Sequence, residues 1–203
     1  MSFYERHVLP HLVNCVCGTG SMRRQRQKVV PDAHGRVLEV GFGTGHNVPY
    51  YEGHRVDHLW ALEPSRESWA LARARVAAAA FPVEYLASGA EEIPLPAAAA
   101  DTVVVTFSLC TVGDVALALA EIRRVLRPGG ELLFCEHGAA PDAGVRRWQD
   151  RIDPLWCRVA GGCHLNRPIA ALIQRAGFRI ERLESGYVSS PRIASYHSWG
   201  AAS

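Results

Sequence analysis

Lysine is almost missing from this 203-residue chain: Lys28 is the only one, so arginine carries nearly all of the 22 basic charges. Against 20 acidic residues the net charge is +2, too small for an electrostatic footprint on nucleic acid, and no basic stripe with interleaved aromatics occurs. The skew toward arginine reads as genome composition rather than as a binding surface. No apolar stretch is long enough to span a bilayer, and the first residues lack the order of charge, apolar run and small residues that marks a secretory signal. These absences make a cytoplasmic location the default expectation. Internal repeats and convincing linkers are missing too. With 48% apolar side chains, the chain is expected to bury one sizeable core, residues 31–203, preceded by a helical lid segment over residues 1–30.

A disulfide framework is also absent. Cys15 and Cys17 stand too close for an easy mutual bridge, and Cys110 and Cys135 fall at the ends of expected inner strands, where a reduced cysteine acts as a small hydrophobe. Zinc sites usually show paired C-x₂₋₄-C or H-x₃₋₅-H spacing. Cys163-His164 together with Cys15-x-Cys17 does not supply it, so no metal is expected.

What the chain does have is the run Val37-Leu38-Glu39-Val40-Gly41-Phe42-Gly43-Thr44-Gly45. A buried strand feeds a tight turn of alternate glycines, a residue that accepts positive φ and lets a ligand lie against bare backbone. A helix from Thr44 to about Tyr51 is expected to turn its free amides toward the same space. After a second apolar run, His58–Leu62, comes Glu63, an acid at the tip of the next strand, where a doubly wound fold hydrogen-bonds a ribose diol. A glycine turn with a ribose acid points to a nucleoside cofactor.

The rest of the chain alternates strands (36–40, 58–62, 83–87, 101–107, 131–136) with helices (65–80, 114–126), punctuated by Gly53, Pro82, Pro94, Pro96 and Pro128-Gly129-Gly130. This βαβ rhythm predicts an α/β fold, a doubly wound parallel sheet with right-handed crossovers and both faces covered. Before it, residues 3–17 read as an amphipathic helix broken or tilted at Pro10. After Glu136, helices are expected over 143–160 and 167–176, the latter capped by Asn166. Two late runs, Phe178–Tyr187 and Ile193–Trp199, then suggest a C-terminal antiparallel hairpin.

The glycine spacing is G-x-G-x-G preceded by Glu39, not the dinucleotide G-x-G-x-x-G. In the form E-x-G-x-G-x-G it resembles the first motif of class I S-adenosylmethionine-dependent methyltransferases. Glu63-Pro64-Ser65, Ser88–Pro96 with Asp101–Val105, and Arg124–Gly130 resemble that family's later motifs in order, over roughly residues 36–136. The resemblance implies a Rossmann-like sheet and S-adenosylmethionine as cofactor, with S-adenosylhomocysteine as product. It also implies cofactor contacts at Glu39, Gly41, Gly43, Gly45, Asn47, Glu63, Pro64, Ser65, Gly89, Ala90, Glu91 and Ser108. Glu39 would orient the loop and Glu63 accept both ribose hydroxyls. Many relatives carry an aspartate where Gly89 stands, so here the Gly89-Ala90 backbone is expected at the adenine edge, with Glu91 nearby.

A second set of segments extends the likeness. Phe3–Arg6, Val8–Pro10, Asn47–Tyr51, Leu109–Val112, Glu136–Gly138, Trp148-Gln149, Asp153–Trp156 and Gly161–Arg167 resemble, across nearly the whole chain, the methyltransferase-like seven family of alkyl-thiol S-methyltransferases. That resemblance implies methylation of a small, lipophilic thiol in a pocket of Tyr4, His7, Cys110, Trp148, Cys163 and His164. His137 is the candidate base or acceptor orienter, with Arg24 or Arg167 as a cationic neighbour; Trp156 is expected to pack. Animal members carry an N-terminal membrane anchor; this chain begins at the lid region, and membrane attachment is not expected to carry over. Sequence alone leaves two alternatives open: N- or O-methylation of a phospholipid, quinone or other metabolite, and a cofactor-binding protein without turnover. An alcohol acceptor would demand a strong base, and no aspartate–histidine pair is apparent in the sequence. The oligomeric state is not legible.

Overall fold

The structure is a computed structural model that describes residues 8–203. The expected lid positions Tyr4 and His7, and the start of the first expected helix, lie outside the described residues. Two short helices, α1 (Leu9–Cys17) and α2 (Gly20–Arg26), precede the sheet. Pro10 stands in the first turn of α1, where its missing amide costs nothing.

Seven strands follow: β1 (Gly35–Val40), β2 (Val56–Leu62), β3 (Val83–Leu86), β4 (Ala100–Thr106), β5 (Leu126–His137), β6 (Ile180–Tyr187) and β7 (Tyr196–Ala202). They form one sheet in the order β3-β2-β1-β4-β5-β7-β6. β1 to β5 pair in parallel, while β7 runs antiparallel to both β5 and β6. The expected C-terminal hairpin is therefore present, its strands beginning two or three residues later than the sequence pattern suggests. Strand order reverses between β1 and β4, which opens the crevice that such sheets use for ligands.

Helices α3 (Arg66–Ala77), α4 (Val115–Val125), α5 (Ala143–Val159) and α6 (Ile169–Arg175) complete the chain. All seven residues of β4 are buried, as a central strand covered on both faces requires. Strand alternation sorts the core. Leu38, Val103, Val105, Leu132 and Phe134 pack with Leu119 and Ile122 of α4 and with Ile169 and Ile173 of α6. Val37, Val104, Leu133 and Cys135 pack with Val29, Val30, Phe42 and Ala72 on the other side. Among the described residues no helix is long and apolar enough to cross a membrane.

Two local expectations need correction. The helix expected from Thr44 to Tyr51 is only a 3₁₀ turn, Val48–Tyr50. Pro49 disfavours the α conformation at Val48, and Asn47 and Tyr51 are both drawn by their side chains to Glu39. Asn166 does not cap α6; Pro168 holds the N-cap position, and the Asn166 amide donates to Asp150 at 2.8 Å.

Phe134 is fully buried in a central strand, whereas Leu183 on the edge strand β6 is 46% exposed. Phe134→Ala should cost about 3–5 kcal/mol in urea unfolding, and Leu183→Ala under about 1 kcal/mol. Equal losses at the two positions would contradict this account of the core.

Candidate active site

The site assembles where β1, β2 and β4 end. Glu39, the penultimate residue of β1, is 2% exposed. One carboxylate oxygen accepts the Asn47 amide at 3.0 Å and the other the Tyr51 hydroxyl at 2.7 Å. Asn47 also donates to the Thr106 hydroxyl at 3.0 Å, tying the glycine turn to the end of β4. Burial pushes the Glu39 carboxyl up to about 8, against the pull of those donors and of Arg26. Glu39 thus ties the residues after the turn to the end of β1.

Gly41, Gly43 and Gly45 all have positive φ, the backbone state that favours glycine. A side chain on Gly41 would also collide with Ser108. The Gly43 amide donates to Glu63 Oε2 at 2.8 Å and the Ser65 amide to Glu63 Oε1 at 2.8 Å. Glu63 is 8% exposed, and burial raises its pKa against those two donors. Each carboxylate oxygen retains a lone pair beyond its amide partner. The Ser65 side chain is occupied differently from a ligand contact: it caps α3 by accepting the Ser68 amide at 3.0 Å. Pro64, between Glu63 and that cap, belongs to the same turn.

Ser108 lies under the turn, donating to the carbonyls of Thr106 and Gly41 at 3.2 and 3.4 Å. Its amide, with those of Leu109 and Cys110, points at the fully buried carboxylate of Glu136, at 2.6, 3.1 and 3.2 Å. Burial raises the Glu136 pKa while these amides oppose it. After β3, Ala90 is buried, and Glu91 Oε1 accepts the amides of Gly113 and Asp114 at 3.1 and 3.2 Å. The Glu91 side chain therefore bridges two loops.

His137 ends β5, Cys110 lies in the loop after β4, and Cys163 lies in the loop between α5 and α6. Cys163 Sγ stands 3.4 Å from His137 Nε2 and 3.9 Å from Cys110 Sγ. Burial disfavours a charged His137 imidazole, but Cys163, Glu136 and Asp153 outweigh it and its pKa is raised. His164 departs from expectation. It pairs with Asp153 at 2.7 Å and turns its other nitrogen toward Cys157 at 3.6 Å. An aspartate–histidine pair thus exists that the sequence did not reveal, and it faces α5. Trp148 is not brought to the site: it is 58% exposed on the outer side of α5, while its neighbour Gln149 turns inward to bond Gly138 and Ala140. Trp156 lies partly buried within α5, its indole nitrogen without a partner among the described residues. Arg24 is exposed, and Arg167 clamps the carbonyls of Leu109 and Val112.

Two residues of the site escape sequence reading. Arg26 on α2 is 4% exposed; it donates to the Cys17 carbonyl at 2.8 Å and lies 4.9 Å from the Phe107 ring centre. Its Nε is buried without a partner among the described residues. Phe107 has φ 57°, a strained value for a bulky residue and a mark of functional sites; nothing in the sequence announces it. Helix α1 reaches the turn through Asn14, which accepts the Thr44 hydroxyl at 2.9 Å and stands 3.0 Å from the His46 ring through its carbonyl. Burial and the nearby Arg26 and Arg75 lower the His46 pKa to about 4, leaving a neutral imidazole.

A reversing parallel sheet, a turn of positive-φ glycines and an acid held at the tip of β2 define a nucleoside-cofactor enzyme of the doubly wound class. The comparisons with known proteins carry this further. A methyltransferase-domain family model matches residues 38–134. The human thiol S-methyltransferase TMT1A is 33% identical over 172 residues, 82% of this chain and 69% of that protein. A phosphatidylethanolamine N-methyltransferase of Cereibacter sphaeroides is 38% identical over 121 residues, 59% of each chain. The chain spans between 62% and 69% of the length of the thiol methyltransferases it matches. A Thermotoga maritima structure, described as an S-adenosylmethionine-dependent methyltransferase and possible histamine N-methyltransferase, superposes with TM-score 0.68 at 19% identity, covering 98% of this chain and 99% of that one. The chain belongs to the class I S-adenosylmethionine-dependent methyltransferases, and its cofactor is S-adenosylmethionine. The residues present fit that cofactor. The glycine turn offers backbone without side chains, Glu63 keeps acceptor capacity, and Arg26 Nε and Asn47 Oδ1 are buried without partners among the described residues.

Glu63→Ala should weaken S-adenosylhomocysteine binding by about 1.5–3 kcal/mol, the scale of hydrogen bonds to a charged group; calorimetric titration reads it, and an unchanged affinity removes Glu63 from the ribose site. A second prediction concerns Glu39. Between the unfolded carboxyl value, about 4.3, and its folded value of about 8, the native state holds a proton that the unfolded state has released. Stability therefore falls as pH rises through that window, by at most about 1.4 kcal/mol per unit, and levels off above it. Glu39→Gln should flatten the profile of unfolding free energy between pH 5 and 8. A slope that survives the substitution assigns the effect to another group.

Proposed function

We propose that this methyltransferase methylates small, lipophilic thiols at sulfur. One observation carries the reading: Cys110, His137 and Cys163 converge at the ends of β4 and β5, beside the cofactor turn. There the His137 imidazole already holds a thiol, that of Cys163, at 3.4 Å. The likeness to thiol S-methyltransferases supports the same substrate class.

Bound at the turn, the cofactor supplies an electrophilic methyl group on a sulfonium centre. The protein's part is then to hold both partners, exclude water and leave the acceptor sulfur with its lone pair free. Glu63 would take the ribose hydroxyls. Gly41–Gly45 would lie along the cofactor backbone, and Ala90 would lie at the adenine edge. The Arg26 guanidinium would meet the carboxylate of the methionine end, a charge-assisted contact suited to its spare donors. Asn14, on α1, closes the turn from above. His137 would orient the acceptor, whose own proton is lost readily because a thiol of pKa about 8.5 is a few per cent ionised at neutral pH. A cytoplasmic setting fits six free cysteines.

Purified enzyme supplied with S-adenosylmethionine and matched alkyl thiols, amines and phenols should release S-adenosylhomocysteine with kcat/KM at least about a hundredfold higher for the thiols. Turnover led by amines or phenols would overturn the thiol reading while leaving the methyltransferase assignment intact.

A further inference from the structure

We propose that Cys110, His137 and Cys163 are a three-ligand site for zinc, whose fourth position binds the acceptor thiol. The inference rests on the thiol reading above and deepens it.

The three side chains place their ligand atoms within 4.8 Å of one another. With Zn–S near 2.3 Å and Zn–N near 2.0–2.1 Å, a tetrahedral centre spaces two sulfurs by about 3.8 Å and a sulfur and nitrogen by about 3.5 Å. The observed edges are 3.9 Å between Cys163 and Cys110 and 3.4 Å between Cys163 and His137. Among the described residues no further cysteine, histidine or carboxylate joins the cluster. Three protein ligands with a fourth position left to water or substrate is the pattern of catalytic rather than structural zinc.

The scaffold holds each ligand by groups other than the ligand atoms. Glu136 fixes Cys110 through its amide, and pairing with His197 across β5 and β7 fixes His137. Gly161 and Gly162, both at positive φ, turn the chain back so that the His164 amide donates to the Cys110 carbonyl at 2.8 Å. Asp153 then secures the far side through Leu165 and His164. Such support from neighbouring groups is what a metal or catalytic site requires. His137 and Cys163 are 26 residues apart, and Cys110 and Cys163 are 53 apart, so the set has no short-spacing signature.

The chemistry closes. Metal binding releases the two cysteine protons to solvent and takes His137 as a neutral donor. The acceptor thiol replaces the bound water, its proton also leaves to solvent, and the sulfur keeps a nucleophilic pair. That pair forms the new carbon–sulfur bond while the carbon–sulfonium bond breaks onto the departing sulfur. The thioether product is neutral and leaves the metal.

The test uses the full chain, reduced and stripped by a chelator, then titrated with cobalt(II) as a spectroscopic stand-in for zinc. One equivalent should produce thiolate-to-metal charge-transfer absorption and the visible bands of a tetrahedral site. A small alkyl thiol should shift those bands, and its methyl thioether should not. Cys110→Ser or Cys163→Ser should abolish the charge-transfer signal, whereas Cys15→Ser, at an exposed position, should preserve it. The wild-type spectrum stands even where a serine variant folds poorly. Zinc restored to the stripped enzyme should raise kcat/KM for thiols about tenfold at pH 7. Absence of stoichiometric cobalt binding, or bands indifferent to thiol, overturns the proposal. Undiminished thiol turnover by metal-free enzyme also overturns it and leaves the thiol reading standing, whereas turnover confined to amines strikes that reading itself.

Discussion

The loops that follow parallel strands carry amides that no neighbouring strand satisfies, and two of three buried acids answer that need here. Glu39, Glu63 and Glu136 each stand at or just past the end of a strand. Glu63 and Glu136 collect backbone amides, and Glu39 collects the side-chain donors Asn47 and Tyr51. An unpaired buried amide costs about 1–3 kcal/mol, and a buried carboxylate without donors costs more. Each offsets the other's desolvation, and the arrangement converts mobile loops into fixed ones. The glycine turn and the loop that carries Cys110 are both held by these acids.

The same arrangement ties the glycine turn to the loop that carries Cys110. Ser108 links the Gly41 carbonyl to the Glu136 cradle. The turn beneath the cofactor and the loop that presents Cys110 are therefore one connected body. Arg26 and Asn14 cover it from α2 and α1, and Phe107 is held between Arg26 and His197 at a strained φ. Strain of this kind persists only where the surroundings over-determine it; here the acid cradle and the parallel pairing of β4 with β5 do so.

The fold and the cofactor side were legible because their signals are contiguous. A strand, three glycines and an acid after the next strand lie within 37–63, and the crossover rules leave little freedom for the sheet. The helix expected after the turn failed because Glu39 recruits Asn47 and Tyr51, a contact no periodicity reveals. Trp148 was misplaced for want of helical phase: Gln149, not Trp148, faces inward on α5. Arg26 rather than Arg24 is the buried arginine of α2 for the same reason. The pairing of Asp153 with His164 was invisible because a loop built on two positive-φ glycines closes it.

The acceptor side follows a different logic, and this bears on how relatives of one fold come to differ in chemistry. Its residues arrive on two separate loops and a strand end, each held by backbone hydrogen bonds, with the side chains of Cys110, His137 and Cys163 meeting one another. On the proposed reading, substituting these side chains would alter the acceptor while leaving Glu63 and the glycine turn in place. A fold whose cofactor half is fixed by contiguous sequence and whose acceptor half is fixed by backbone anchoring can exchange substrates at little cost in stability. In this chain the exchangeable positions are two sulfurs and an imidazole. All three are soft or borderline donors, suited to sulfur and to thiophilic metal rather than to an alcohol oxygen.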